Sequence, residues 1–405
     1  MVNRSILHLD LDSFFVSVER LINSELKKRP LLVGGISDRG VVAACSYETR
    51  AFGVHSGMPM KLARRLCPEA IVLRGNSGTY TKYSDLITEI IKSEVPAFEK
   101  ASIDEFYADL SGMDQFFGTY KFASELRTKI IRESGLPISL GLSINKIVSK
   151  VATGEAKPNN QIKIDQGYEK QFLAPLPIRK IPMIGDKTGL TLQRLGIRIV
   201  SDLQKLPEEL LLQTLGKTGG VIWRRAQGID HSPVITYNER KSISTERTFD
   251  YDTIDMTLLR ELLIAMTENL AYQLRRGQKL TSCVSVKIRY ADFDTQSRQL
   301  KIPYTSADHL LIPRILELFN ALYNRRLRVR LIGVKFSHLA GGNYQINLFD
   351  DNESAIQLYQ AIDRMRLRFG DRSIIRASSL GAKTIGRIEN PFNGNAPIVL
   401  AHRKQ

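Results

Sequence analysis

The chain has 405 residues, of which 43% are hydrophobic and 25% charged. That mixture excludes a disordered or fibrous chain, and the length exceeds one core of ordinary size, so two to four domains are expected. Lys and Arg number 58 against 42 Asp and Glu, and the resulting charge of +16 is the balance of a protein that meets a polyanion, while three scattered cysteines (Cys45, Cys67, Cys283) exclude a disulfide framework.

The opening run MVNRSILHLDLDSFF is interrupted by aspartates, so it reads as neither a leader peptide nor a membrane span, and a cytoplasmic protein is expected. Residues 5–12 alternate as a strand, with Ile6, His8, Asp10 and Asp12 on one face and Leu7, Leu9 and Leu11 toward the core. Asp12-Ser13 reads as a helix N-cap, followed by an amphipathic helix carrying Phe14, Val18, Leu21 and Ile22. A strand thereby delivers Asp10 to its own end.

Pro30–Val33 and Gly40–Ala44 predict short strands in a small, basic, glycine-punctuated subdomain that runs to about Gly75. A helix over 79–94, a strand over Ala101–Leu110, a helix over 115–134 and a strand over Ile138–Ser143 follow. Lys146 and Lys150, four apart on the next predicted helix, face either a polyanionic partner or solvent. Between Ile178 and Ile199 the pattern resembles two short helices joined by a glycine hairpin, in which Gly185 and Lys187 would grip a phosphate backbone without reading bases. The single Trp223 is assigned to the core of this helical region.

Residues 231–241 lack periodicity and read as a linker. Beyond them a strand (243–249), a helix (Leu258 to Leu274), strands through Val284–Tyr290 and 297–302, a helix (Leu311–Leu322) and a strand (328–338) give the order β-α-β-β-α-β, a ferredoxin-like module. Its helices cover one sheet face. The other presents Ser285, Lys287 and Arg289, with Arg325, Arg326, Arg328 and Arg330 at the start of the last strand. With so little acid expected among these bases, the face reads as a surface that tracks phosphates.

Two acidic clusters stand out, Asp10 with Asp12 and the adjacent pair Asp104-Glu105. Carboxylates inside otherwise apolar strands repel one another and suffer desolvation unless a cation intervenes, and hard divalent cations take oxygen ligands. Leu9-Asp-Leu-Asp-Ser-Phe-Phe15, Tyr47-Glu-Thr-Arg50 with Phe52-Gly-Val, Ser102-Ile-Asp-Glu105, Gly141-Leu-Ser-Ile-Asn-Lys146 and Ala156-Lys-Pro-Asn159 occur in one order. Together they resemble the Y-family DNA polymerases, and within them the DNA polymerase IV (DinB) branch, from residue 2 to about 340.

The resemblance implies an α/β (α+β) multidomain right-hand polymerase. Its palm would span 1–12 and 76–165, its small fingers 13–75, its helical thumb 166–230 and its ferredoxin-like little finger 242–341. It implies two magnesium ions, with manganese as a substitute, bound by the catalytic residues Asp10, Asp104 and Glu105 and by the carbonyl of Leu11. Asp12 has no ligand counterpart in the family, and its cap role accounts for it. Phe15 is implied as the steric gate against a ribose 2′-hydroxyl, with Phe14 beside it at the nucleotide; Tyr47, Arg50 and Lys157 are implied as grips on the triphosphate. The expected substrates are primer–template DNA and deoxynucleoside triphosphates, copied by a monomer at low fidelity past lesions and without proofreading.

Gln345-Ile-Asn-Leu-Phe349 resembles the peptide by which bacterial polymerases dock on the replicative sliding clamp, with Leu348 and Phe349 filling an apolar pocket and Gln345 bonding its rim. Its position ahead of a predicted helix at about 353–369 is similar to UmuC-type polymerases. The basic tail beyond is expected to be that one helix followed by a mobile end. Two other readings compete: a catalytically silent DNA-binding partner, disfavoured because all three acids are retained, and a nucleotidyl cyclase, which needs no duplex grip.

Overall fold

The computed structural model describes residues 4–113, 118–237, 239–342, 353–370 and 373–382. Strand β1 (Ile6–Leu11) leads into helix α1 (Phe14–Ile22) and then into a small unit of β2 (Leu31–Gly34), β3 (Val42–Cys45), α2 (Tyr47–Arg50), α3 (Met60–Leu66) and β4 (Ile71–Leu73). Its three strands lie in the order β3-β2-β4. The chain then returns through α4 (Ser77–Glu94), β5 (Phe98–Lys100), β6 (Glu105–Asp109), α5 (Thr119–Ser134), β7 (Ile138–Ser143), α6 (Lys146–Ala156) and β8 (Gln161–Lys163). These complete a five-stranded sheet, β5-β6-β1-β7-β8, with β1 at its centre between two antiparallel neighbours.

Leu7, Leu9 and Leu11 enter a large apolar cluster with Ile87, Ile91, Leu126 and Ile130 of α4 and α5, as the alternation predicts. The opposite face is not open. Ile6 and His8 are buried there as completely as the leucines. Helix α6 lies across that face because Gly141 of β7 lets it approach: a Cβ at this position would stand 2.3 Å from the carbonyl oxygen of Ser149. The His8 ring meets Thr153 Oγ1 at 2.8 Å, and burial, followed by the charges of Lys150, Lys157 and Lys146, holds its pKa well below the usual value.

The single strand expected over Ala101–Leu110 is a hairpin instead. The Ala101 and Ser102 N–H groups both donate to the Glu105 carbonyl, at 3.0 and 3.3 Å. Ser102 Oγ in turn accepts from the Asp104 and Glu105 N–H groups at 3.3 and 3.1 Å, a local side-chain bond that competes with extension. Asp104 therefore sits in the turn and Glu105 opens β6.

A second correction concerns Asp12-Ser13. Ser13 occupies the N-cap of α1 with a left-handed backbone (φ 43°), and its side chain makes no capping hydrogen bond. Asp12 is not a cap; its carboxylate is buried and turned away from the helix.

Helices α7 (Glu169–Leu173), α8 (Asp186–Arg194), α9 (Val200–Gln204), α10 (Glu208–Leu215) and α11 (Lys217–Ala226) pack around Leu173, Ile178, Leu192, Leu203 and Ile222, joined by Val148 and Val151 of α6. Trp223 packs against this cluster and donates to the Leu206 carbonyl at 2.7 Å. The first helix of the expected pair is a single 3-10 turn, Ile178–Lys180; Gly185 is the N-cap of α8 and Lys187 is exposed in its first turn.

The C-terminal module follows residues 231–237 and 239–241 of the predicted linker, which form neither helix nor strand. It contains β9 (Ser242–Thr253), α12 (Met256–Arg276), β10 (Lys279–Tyr290), β11 (Thr295–Thr305), α13 (Asp308–Leu322) and β12 (Val329–Gly341), and its sheet runs β11-β10-β12-β9. Val284, Val286, Ile288 and Tyr290 point under the helices, so Ser285, Lys287 and Arg289 face away from them. The expected shortage of acid on this bare face is wrong. Lys287 pairs with Glu246 at 2.5 Å, Arg325 with Asp292 and Asp294 at 2.8 and 2.7 Å, and Arg330 lies over the Phe293 ring and 3.9 Å from Asp252. Those acids come from neighbouring strands and turns, which is why a reading along one strand missed them.

Helix α14 (Glu353–Phe369) is the helix predicted in the tail, and with residues 373–382 it covers the outer side of α12 and α13. Gln345, Leu348 and Phe349 lie outside the described residues. Among the described residues no helix is long and apolar enough to cross a membrane.

Candidate active site

The acids predicted to act together meet at the ends of β1 and β6. Asp10 and Glu105 are directly paired across the two strands, and the Leu11 N–H donates to the Asp104 carbonyl at 3.1 Å. Residues separated by nearly a hundred positions are thus fixed side by side by the backbone ladder.

Each carboxylate has a local partner. Lys157 donates to Asp10 and also approaches the Leu11 carbonyl at 3.4 Å. Lys150 forks onto both oxygens of Glu105 at 2.7 Å, and Ser102 Oγ donates to Asp104 at 2.5 Å. With the side chains so engaged, no three His, Cys, Asp or Glu groups among the described residues converge as a ready metal cage.

The electrostatics nevertheless leave a demand for positive charge. Burial pushes the Asp10 carboxyl up to about 7, with Asp104 and Glu105 adding to the rise and Lys157 opposing it. Asp104 is raised as well, first by burial and then by Glu105, against the Ser102 bond. Carboxylates held this far from their ordinary range are characteristic of sites that await a cation or a proton.

The donor set fits a hard divalent ion: carboxylate and carbonyl oxygens without sulfur or nitrogen. The Lys157 ammonium, lodged between Asp10 and the Leu11 carbonyl, stands in for such a charge.

Phe14 and Phe15, adjacent on α1, divide sharply. Phe14 is buried in the core at 3% exposure. Phe15 is partly exposed and stacks on Tyr80 with centroids 4.3 Å apart and planes 21° apart. Its ring is therefore held flat and in place.

Tyr47 and Arg50 share α2, with the Arg50 guanidinium over the Tyr47 ring at 4.8 Å. The Tyr47 hydroxyl donates to Asp12, and burial followed by the Asp12 charge raises its pKa above the usual range. Lys157, at the end of α6, completes the set beside Asp10.

Lys146 and Lys150 are not the free surface lysines that their spacing allowed. Lys146 grips Glu99 at 2.7 and 2.8 Å and lies over the Tyr107 ring, while Lys150 is committed to Glu105. Sequence reasoning missed the pairing of Lys150 with Glu105, the Ser102 bond to Asp104 and the partners of Asp12. A serine two residues before an acid in a turn was a usable signal for Ser102; nothing local marks the other two. Gly185 and Lys187, the strand residues Lys287, Arg289 and Arg330, and Arg328 just before β12 stand on other modules and take no part in this cluster.

The impB/mucB/samB family model matches residues 9–154, and the model of that family's C-terminal domain matches 240–348. A DNA polymerase IV of Dehalococcoides mccartyi is 39% identical over 375 residues, covering 92% of this chain and 96% of the relative. The DNA polymerase IV of Halorhodospira halophila is 37% identical over 352 residues, covering 86% and 99%. Among solved structures, a chimera of the Y-family DNA polymerases Dbh and Dpo4 superposes with a TM-score of 0.74 at 28% identity, over 84% of this chain and all of its own. Agreement over nearly the whole length of each relative, in sequence and in architecture, means that the chain belongs to the Y-family DNA polymerases, within their DNA polymerase IV (DinB-like) group.

Proposed function

We propose that this chain is a template-directed translesion DNA polymerase that adds deoxynucleotides to a primer 3′ end by two-metal nucleotidyl transfer. The observation that carries this reading is the cross-strand pairing of Asp10 with Glu105 and of Leu11 with Asp104, which sets three acids and a carbonyl oxygen at one end of the central sheet. Asp10, Asp104, Glu105 and the Leu11 carbonyl would hold magnesium. Bound there, the ions would activate the primer hydroxyl and neutralise the triphosphate.

The chain's own residues orient and discriminate. The Lys157 ammonium leaves Asp10 for a phosphate oxygen, and Arg50, braced on Tyr47, forks onto the triphosphate. The Phe15 ring, fixed by its stack on Tyr80, closes the space a ribose 2′-hydroxyl would need. Duplex DNA would be gripped at Gly185 and Lys187 and along the bare face with Lys287, Arg289, Arg328 and Arg330. The domain limits are those read from the sequence, with palm 1–12 and 76–165, fingers 13–75, thumb 166–230 and little finger 242–341. Gln345, Leu348 and Phe349 would tether the monomer to the sliding clamp in the cytoplasm.

Glu105→Ala abolishes magnesium-dependent primer extension, including extension past a template lesion, while duplex binding stays nearly intact. Normal extension by that variant would remove the catalytic assignment.

A further inference from the structure

We propose that Asp12 is a positioning residue for the incoming triphosphate, its buried carboxylate tying α2, which carries Tyr47 and Arg50, to the end of α6, which carries Lys157. The inference rests on the polymerase reading above and extends it to a residue that contacts neither metal nor substrate.

Asp12 is 2% exposed, and a carboxyl so placed is tolerated only when hydrogen-bond partners surround it. They come from three directions. The Tyr47 hydroxyl of α2 donates to Oδ1 at 3.3 Å, Ser139 Oγ of β7 donates to both oxygens at 3.0 Å, and the Asn159 N–H donates to Oδ2 at 2.7 Å. The Lys157 ammonium stands 3.8 Å from Oδ1.

Each bond fixes a grip. Through Tyr47 the carboxylate sets the ring on which the Arg50 guanidinium rests. Through Asn159 it holds the turn immediately after Lys157, a turn also clamped from outside by Arg127, which donates to the Asn159 carbonyl and side-chain oxygen at 2.6 and 2.7 Å. Ser139 anchors the acid itself to the central sheet. The small β3-β2-β4 unit and the end of α6 are therefore registered against each other at one buried carboxylate, and the cations that would meet the triphosphate are presented at a common distance.

Asp12→Asn keeps the size but replaces one acceptor oxygen with a donor, so it opposes at least one of these N–H or O–H groups. The expected result is a rise of about tenfold or more in the deoxynucleotide KM, with kcat within about threefold and unchanged affinity for primer–template DNA. Direct titration of deoxynucleotide onto a complex with a dideoxy-terminated primer shows the same loss. Tyr47→Phe removes one donor and leaves the acid intact; its smaller KM rise does not add to that of Asp12→Asn in the double variant. Should Asp12→Asn not fold, Ser139→Ala carries the test, raising KM by a few fold.

An unchanged KM in these variants, a kcat loss at constant KM, or full additivity with Tyr47→Phe overturns the proposal. Failure of the wild-type chain to extend any primer overturns the polymerase reading and this proposal with it, whereas extension by wild type with a flat Asp12→Asn KM overturns this proposal alone.

Discussion

Two buried ionic clusters, one at the end of the central sheet and one behind the C-terminal module, are built from the same kinds of residue to opposite effect. Behind the C-terminal module, Arg275 forks onto Asp363 at 2.7 and 2.9 Å and reaches Asp308 at 2.7 Å, while Arg376 lies 3.2 Å and Arg366 3.8 Å from Glu268. Three guanidinium groups face three carboxylates. Burial works against the Arg275 charge, but its bonds to Asp363 and Asp308 raise its pKa beyond the ordinary range. At the sheet end, among the described residues, Asp10, Asp12 and Glu105 form ion pairs with Lys150 and Lys157 alone, and Asp104 lies beside them. A cluster that closes on itself fastens α14 to α12 and α13; a cluster short of positive charge, at a strand end, is where the proposed cations would bind.

The largest effect that would break this comparison belongs to the closed cluster. Arg275→Met leaves Asp308 and Asp363 buried without their shared cation and costs about 3–5 kcal/mol, read as a lower midpoint of urea unfolding. A change below about 1 kcal/mol would mean that α14 is not fastened by these charges.

Asp10→Asn has the opposite sign. The folded-state carboxyl keeps its proton up to about pH 7, while the unfolded one releases it near 3.8, so the folded wild type loses stability as pH rises through that window. In metal-free buffer the variant is more stable than wild type at pH 8, with Tm higher by roughly 2–4 °C for each kcal/mol recovered, and the difference disappears below about pH 4. Equal melting at both pH values would show that the sheet end carries no unmet charge.

The smallest effect is on the bare sheet face. Lys287→Ala opens an exposed pair with Glu246 and changes stability by less than about 1 kcal/mol. It lowers the salt dependence of duplex binding by about one unit of slope, measured as log affinity against log salt. An unchanged slope would leave Lys287 as a partner of Glu246 alone.

Much of the site was legible before the fold was known. Period-2 alternation in Ile6–Leu11 gave a strand with its leucines inward, and the acids at residues 10, 104 and 105 stood out as carboxylates in apolar surroundings. The second buried face of β1 was not legible, because it exists only where Gly141 admits α6. Nor was the hairpin at 101–104, since an apolar run with a serine and two acids reads as a strand until Ser102 is seen to bond the turn.

What the sequence determined by itself was therefore local: element types, the inward leucines, the acids at strand ends and the family that their motifs resemble. The tertiary structure alone decided which charges meet. Asp12 finds Tyr47, Ser139 and Asn159 at separations of 35, 127 and 147 residues, and Lys150 finds Glu105 across 45. Periodicity and propensity act over a few residues, whereas a buried charge takes its partner from whatever segment the packing brings within 3 Å, so only the folded chain shows which acids are satisfied and which still require a cation.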